Sequence, residues 1–309
     1  MFSILFPGQG SQNVGMGKEL FNNFNFVKDY FSIADDVLNK NLTKIIFDGP
    51  KEELDKTENT QPAIFLISYA FFKVIEKESH FKITNAEYFA GHSLGEYSAL
   101  CCANSISFSQ TMRLLKFRAE AMQNAVPIGH GGMIAVLGIS IDEIKIILEA
   151  NSSIFSCYIA NDNSNGQIVI SGKIKDLKLL EKELIKKKIK FVNLSVSAPF
   201  HCPLMKNATK NMKQIINETD FKDPIINIIS NVTANPLSKS EEIKKYLIEQ
   251  IENPVRWRES ITNMIDLGVN KFIEMGPGKV LSGLVKRIDR NVQLNQVNDL
   301  SDIKNLIND

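Results

Sequence analysis

The sequence predicts an α/β protein built in two parts, on three observations. Apolar strand-like runs alternate with helix-period segments along the whole chain, the pattern of a sheet covered by helices. Between residues 128 and 196 the order becomes β-α-β-β-α-β, a ferredoxin-like unit set into a larger domain. The chain has 309 residues, 44% of them hydrophobic, enough to bury a substantial core. The expected division is a large domain of residues 1–127 and 197–309 and a small ferredoxin-like subdomain of 128–196.

Taken in order, Phe2–Phe6 is a short apolar strand that breaks at Pro7 into a loop with glycines at 8, 10, 15 and 17. Residues 61–78 (QPAIFLISYAFFKVIEKE) form a long, well-buried helix. YFAG at 88–91 is a strand, and LGEYSALCCA at 94–103 is a helix that starts almost at once. SFSQTMRLLKFRAEAMQ at 107–123 is amphipathic, with Ser107 or Ser109 as its cap. In the small unit MIAVLGI is a strand, IDEIKIILEA a helix, and IFSCYIA and QIVISG are strands joined by a turn at NDNSNG. KDLKLLEKELIKKK is then a helix and IKFVNLSV the last strand of the unit. The large domain resumes at the proline-marked SAPFHCP and adds strands at PIINIIS (224–230) and KFIEMG (271–276).

Composition removes several classes of function. A net charge of +1 with 23% charged residues predicts no nucleic-acid partner, and the Lys186–Lys188 run reads as a solvated helix end. Cys101, Cys102, Cys157 and Cys202 show no metal-ligand spacing and suit the buried thiols of a reducing compartment. Neither a signal peptide nor an apolar run approaching about 18 residues is present, so no membrane span is expected. The expected setting is cytoplasmic, with an organelle form after removal of a transit segment as the alternative, and the expected state is a monomer.

The first glycine loop, FPGQGSQ, invites a phosphate-binding reading. Both nucleotide fingerprints fail there: Asn13 stands where GxGxxG needs glycine, and no GK[ST] follows. The stronger signal is GHSLG at 91–95, a GxSxG between a strand and a helix, which is the context of a nucleophile elbow presenting Ser93. A nucleophilic serine needs a base. Of the four histidines, His80 reads as solvated, His130 sits in a glycine-rich loop, and His92 is turned away from Ser93 by the elbow. His201, where the chain re-enters the large domain, is left as the base. Asp223 and Glu274 are candidate third members of a triad, yet no motif selects either, and a backbone carbonyl or amide side chain would serve as well. Cys202 beside the histidine is a weaker candidate thiol. Arg118 has Leu114, Leu115, Ala121 and Met122 as its helical neighbours, whereas Arg113 has mostly polar ones. A guanidinium on a buried face requires an anion, either an internal acid or a ligand carboxylate gripped by its planar fork.

Elbow, late histidine and buried arginine together resemble the malonyl-CoA:acyl carrier protein transacylases. The resemblance spans the chain through FPGQGSQ, TQPAIF, GHSLGEYSAL, RLLKFRAEAM, AVPIGHGGM, IANDNSNGQIVISG, SAPFHCPLM, NPVRW and EMGPGKVLSGLVKRI. It implies an α/β-hydrolase-like core with a parallel sheet and the inserted ferredoxin-like subdomain. It further implies that Ser93 takes the malonyl group from malonyl-CoA as an ester and passes it to the phosphopantetheine thiol of holo acyl carrier protein, supplying fatty acid biosynthesis. His201 is then the base, the backbone N–H groups of Gln9 and Leu94 form the oxyanion hole, and Arg118 binds the malonyl carboxylate. Gln250 matches the position that supports the histidine within the substrate site, and Phe200 a position tied to acyl selectivity. No metal or redox cofactor is implied. Cys202 and His130 depart from the family pattern without touching a proposed role. Lys279, Lys286 and Arg287 are a candidate docking surface for an acidic carrier protein. A trans-acting polyketide acyltransferase, a serine thioesterase or esterase, and a non-catalytic carrier-binding module are the alternatives.

Overall fold

The computed structural model describes residues 1–196 and 198–308. Ser197, where the large domain was expected to resume, and Asp309 lie outside the described residues. The strands are β1 (Phe2–Phe6), β2 (Tyr88–Gly91), β3 (Gly131–Leu137), β4 (Cys157–Ser164), β5 (Gln167–Lys173), β6 (Lys190–Asn193), β7 (Asn227–Ile229), β8 (Pro236–Leu237), β9 (Lys271–Met275) and β10 (Gln293–Val297). The helices are α1 (Lys18–Asn23), α2 (Asn25–Leu38), α3 (Leu42–Asp48), α4 (Lys51–Leu54), α5 (Thr57–Glu78), α6 (Leu94–Cys102) and α7 (Phe108–Asn124). They continue with α8 (Ile141–Ala150), α9 (Ile174–Lys186), α10 (Lys206–Glu218), α11 (Ser240–Glu249), α12 (Trp257–Asp266), α13 (Val280–Ile288) and α14 (Leu300–Asn308).

The large sheet has the order β10-β9-β1-β2-β7-β8, parallel except for the last pair. Such a sheet is buried on both faces, and its strands are apolar on both. Ile4, Phe6 and Phe89 face the α5, α6 and α7 side with Phe65, Phe72 and Leu115, whereas Leu5, Ala90 and Phe272 face Trp257, Leu281 and Val285 of α12 and α13. α5 is buried along almost its whole length, which explains an apolar run without a polar stripe. β1 pairs directly with β2, Phe6 opposite Gly91, so the two loops leaving these strands emerge side by side.

The small sheet is antiparallel with the order β4-β5-β3-β6. Ile134, Val136, Ile168 and Ile170 pack against Ile144 of α8 and Leu177, Leu180 and Leu184 of α9. The alternate residues Met133, Ala135 and Val169 turn to the large core. One expectation is corrected here. NDNS is not a turn: β4 continues through Asn161–Ser164 and the chain reverses only at Asn165–Gly166. Asn161 bridges to Val255 and the Asp162 N–H donates to the Val255 carbonyl at 3.0 Å, so polar residues here are ordered by a long-range partner. α5 likewise begins at Thr57, earlier than its apolar pattern, and β7 is shorter than PIINIIS. Among the described residues no helix is long and apolar enough to cross a membrane.

Candidate active site

β2 ends at Gly91 and α6 begins at Leu94, which leaves Ser93 in the turn with φ 55° and ψ −108°. That backbone costs a non-glycine residue on the order of 1–3 kcal/mol, so packing must enforce it. A Cβ on Gly91 would lie 1.9 Å from the Gly95 carbonyl carbon, and one on Gly95 would lie 2.2 Å from the Phe6 oxygen. Both motif glycines are therefore required by the close approach of α6 to β2 and β1. Asn231, just after β7, clamps the turn: its Oδ1 accepts the Ser93 N–H at 2.7 Å and its Nδ2 donates to the Gly91 carbonyl at 2.7 Å.

Ser93 Oγ lies 2.8 Å from His201 Nε2, and His201 Nδ1 lies 2.8 Å from the Gln250 backbone oxygen. A carbonyl only accepts, so Nδ1 carries the proton and Nε2 is free to take one from Ser93. The orienting group is thus neutral. Asp223 pairs instead with Lys239, and Glu274 accepts the N–H groups of Leu281 and Ser282 at the start of α13. Burial, then the Arg118 charge, pushes the His201 ring down to about 3, which keeps it neutral as a base.

Arg118 is 1% exposed. Its Nη2 donates to Ser93 Oγ at 3.0 Å and to Gln250 Oε1 at 2.9 Å, its Nη1 to Gln61 Oε1 at 2.9 Å, and its Nε has no hydrogen-bond partner among the described residues. It forms no ion pair among the described residues. The Glu96 carboxyl acts on it through space without a direct hydrogen bond, and Gln250, which holds Arg118, also donates its Nε2 to Glu96 Oε2 at 2.7 Å. Burial pushes the Glu96 carboxyl up to about 7.

These groups open onto a cavity of about 490 Å³. Gln9, Ser93, Leu94, Arg118, Phe200 and His201 all line it, with Met122 and Met133 adding apolar surface. The Gln9 and Leu94 N–H groups have no acceptor among the described residues. Gln250 lies against the histidine as the resemblance implies, holding His201 by its carbonyl and Arg118 by its side chain, and it is not among the residues that line the cavity. His92 turns away as expected, its Nε2 2.8 Å from Asn163 Oδ1. His80 and His130 are exposed, and Cys202 is buried with its thiol, pushed up to about 11 by burial, donating to the Pro199 carbonyl.

Gln61, Glu96 and Asn231 were not singled out from the sequence. Glu96 alone carried a signal: a charged residue within the apolar LGEYSALCC is marked by the same reasoning as Arg118. The amides of Gln61 and Asn231 acquire their roles from partners 57 and 138 residues away.

The model of the acyl transferase domain family matches residues 4–302. A malonyl CoA-acyl carrier protein transacylase of Bacillus subtilis (strain 168) is 44% identical over 300 residues, 96% of this chain and 93% of the relative. One of Staphylococcus aureus (strain COL) is 38% identical over 308 residues, 98% of this chain and 97% of the relative. The crystal structure of acyl-carrier-protein-S-malonyltransferase from Bartonella henselae superposes with a TM-score of 0.96 at 40% identity, covering 99% of this chain and 98% of that one. A malonyl-transacylase in complex with a type II polyketide acyl-carrier protein superposes with a TM-score of 0.94 at 36% identity, covering 99% of both chains.

Proposed function

The chain belongs to the acyl transferase domain family, and from that membership we propose that it transfers malonyl from malonyl-CoA to the phosphopantetheine thiol of acyl carrier protein through an ester on Ser93. The observation that carries the reading is Arg118, a buried cation in no ion pair among the described residues and within hydrogen-bond reach of the nucleophile. A carboxylate bound there must belong to a short acyl group, and malonyl places its carboxylate one methylene from the reacting carbonyl.

Ser93 Oγ attacks the thioester carbon while His201 Nε2 takes its proton. Negative charge gathers on the carbonyl oxygen, where the Gln9 and Leu94 N–H groups are the donors. Removing one such donor typically costs on the order of 100- to 1000-fold in rate. The C–S bond breaks, the coenzyme A thiolate takes the proton from His201, and the malonyl group remains as an ester on Ser93 with its carboxylate against Arg118. The carrier thiol then gives its proton to His201 and attacks the ester carbonyl, and Ser93 leaves with that proton restored. Ser93, His201 and the two thiols account for every proton and electron pair. Phe200 bounds the acyl pocket. Lys279, Lys286 and Arg287 are exposed on and before α13 and suit an acidic carrier, with Arg287 also bonded to Gln167. A cytoplasmic monomer feeding fatty acid synthesis fits the four free cysteines.

Mass spectrometry after mixing with malonyl-CoA tests the reading: an adduct of about 86 Da on Ser93 is expected to persist without carrier and to be absent in Ser93→Ala. Absence of the adduct from the unaltered chain, or its rapid loss to water as a thioesterase would give, overturns it. The polyketide carrier complex among the similar structures keeps a second reading, and transfer rates across a panel of fatty-acid and polyketide carriers separate the two.

A further inference from the structure

The loop that follows β1 carries the Gln9 amide, and its own side chains pin it. Among the described residues the only cis peptide is Gly49–Pro50, so the Gly8–Gln9 peptide is trans. In a rigid trans plane the Gly8 carbonyl and the Gln9 N–H point in opposite directions, and fixing one aims the other. Ser11 Oγ, on a residue 3% exposed, donates to the Gly8 carbonyl at 2.8 Å. The next plane is pinned as well, since the Gly10 N–H donates to Gln12 Oε1 at 2.8 Å. Gln12 in turn is anchored across the cavity rim: its Nε2 donates to Asp55 Oδ1 at 2.8 Å, and Lys51 Nζ holds Asp55 Oδ2 at 2.6 Å. Both peptide planes flanking the Gln9 Cα are therefore held, and the Gln9 N–H is left without an acceptor beside Ser93 in the cavity lining.

We propose that Ser11 and Gln12 are positioning residues that pre-organise the Gln9 N–H as an oxyanion donor, with Asp55 as the anchor of Gln12. The inference rests on the malonyl-serine reading above. Pre-aimed dipoles stabilise a developing charge because they need no reorganisation when it appears. A donor that rocks loses part of that stabilisation while leaving ground-state binding alone, because the charge is absent until the transition state.

The test measures single-turnover acylation of Ser93 by malonyl-CoA, and separately malonyl-CoA affinity in a Ser93→Ala background. Ser11→Ala and Gln12→Ala are each expected to slow acylation about 10- to 100-fold, short of full donor loss. Affinity should stay within about twofold, the split that marks a transition-state contribution. Asp55→Ala should follow Gln12→Ala, whereas Asp55→Asn, which keeps an oxygen for Gln12, should restore the rate. Parental acylation in both Ser11→Ala and Gln12→Ala, or a loss of affinity in proportion to rate, overturns the inference. Should Ser11→Ala fail to fold, Gln12→Ala and the Asp55 pair decide it. Absence of a Ser93 adduct in the unaltered chain would defeat the malonyl-serine reading itself, a result distinct from unchanged variants in a chain that acylates normally.

Discussion

A guanidinium buried to 1% exposure keeps its charge only with compensation. At Arg118 that compensation comes from two amide oxygens and a hydroxyl, with the Glu96 carboxyl acting through space. The fork is held in place yet not consumed by a carboxylate. Truncating one partner of a buried, hydrogen-bonded charge pair costs about 2–5 kcal/mol, so Arg118→Ala should lower kcat/KM for malonyl-CoA at least about 30-fold. Acetyl transfer should hold or rise, and steady-state assays with both thioesters check the ratio; an unchanged ratio would remove the carboxylate role. The same variant has a second readout. His201 must be neutral to accept the Ser93 proton, and both its burial and the Arg118 charge depress its ring. The parent should therefore keep acylating well below the ordinary imidazole range, and removing the cation should move the acid limb of the acetyl-CoA profile upward. Arg118 was legible because its helical neighbours are local in sequence. Ser93 was legible from its elbow and His201 from its place at the domain crossing. The group that orients His201 was named only through the family resemblance, as Gln250, because a backbone carbonyl leaves no residue-type signature of its own.

Elements were readable where their determinants are local. α7 shows this at its start: sequence left Ser107 and Ser109 as alternatives, and the structure has Ser107 in a reciprocal capping box with Gln110. Gln110 Oε1 accepts the Ser107 N–H at 3.2 Å, and the Gln110 N–H reaches Ser107 Oγ at 3.4 Å. Ser107→Ala should cost about 1 kcal/mol in denaturant unfolding. The malonyl-to-acetyl ratio should stay unchanged, because Arg118 lies about three turns further along the helix. A changed ratio would mean that the cap, and not packing against α5, sets the position of Arg118. β1, β2 and α6 were equally plain, since GxSxG between a strand and a helix states its own geometry; the steric demand at Gly91 comes from Gly95 and Glu96 close by, whereas that at Gly95 comes from Phe6 at the end of β1. β4 was misjudged at its end for the opposite reason. NDNS is turn chemistry taken alone, yet Asn161, Asp162 and Ser164 pair with Val169, Ile168 and Gln167 of β5, and Asn161 also bridges to Val255 far along the chain. Of the helices not read, α1, α3 and α4 are too brief for a periodic pattern to declare itself, whereas α2 and α10 to α14 are longer and were passed over as well.

At the scale of the molecule, the site depends on two sheets keeping their relation. Ser93, at the start of α6, and Arg118 of α7 lie beside the large sheet, and Met133 from the small sheet closes the cavity beside them. β4 is the seam. The Val255 N–H donates to the Ala160 carbonyl at 2.9 Å, and Arg258 of α12 grips Asp162 at 3.0 and 2.7 Å. Next along, Asn163 Oδ1 holds His92 of the elbow. The Asp162 side chain is 2% exposed and that of Arg258 27%, so Arg258→Ala strands a buried carboxylate. Breaking a fully buried pair costs about 3–5 kcal/mol, and the partial exposure of Arg258 reduces the expectation to about 2–3 kcal/mol. Burial already raises the Asp162 carboxyl while Arg258 pulls it back, so losing the guanidinium should raise it further. A carboxyl whose folded pKa exceeds its unfolded one contributes stability below the unfolded value and loses it as pH rises. The deficit of Arg258→Ala should therefore be larger near pH 8 than near pH 5 in denaturant unfolding. Loosening the seam should also raise KM for malonyl-CoA severalfold while the malonyl-to-acetyl ratio holds, because Arg118 and its partners Gln61, Ser93 and Gln250 lie outside the small sheet. Parental stability at the higher pH would show that the sheets are held by their apolar contact alone.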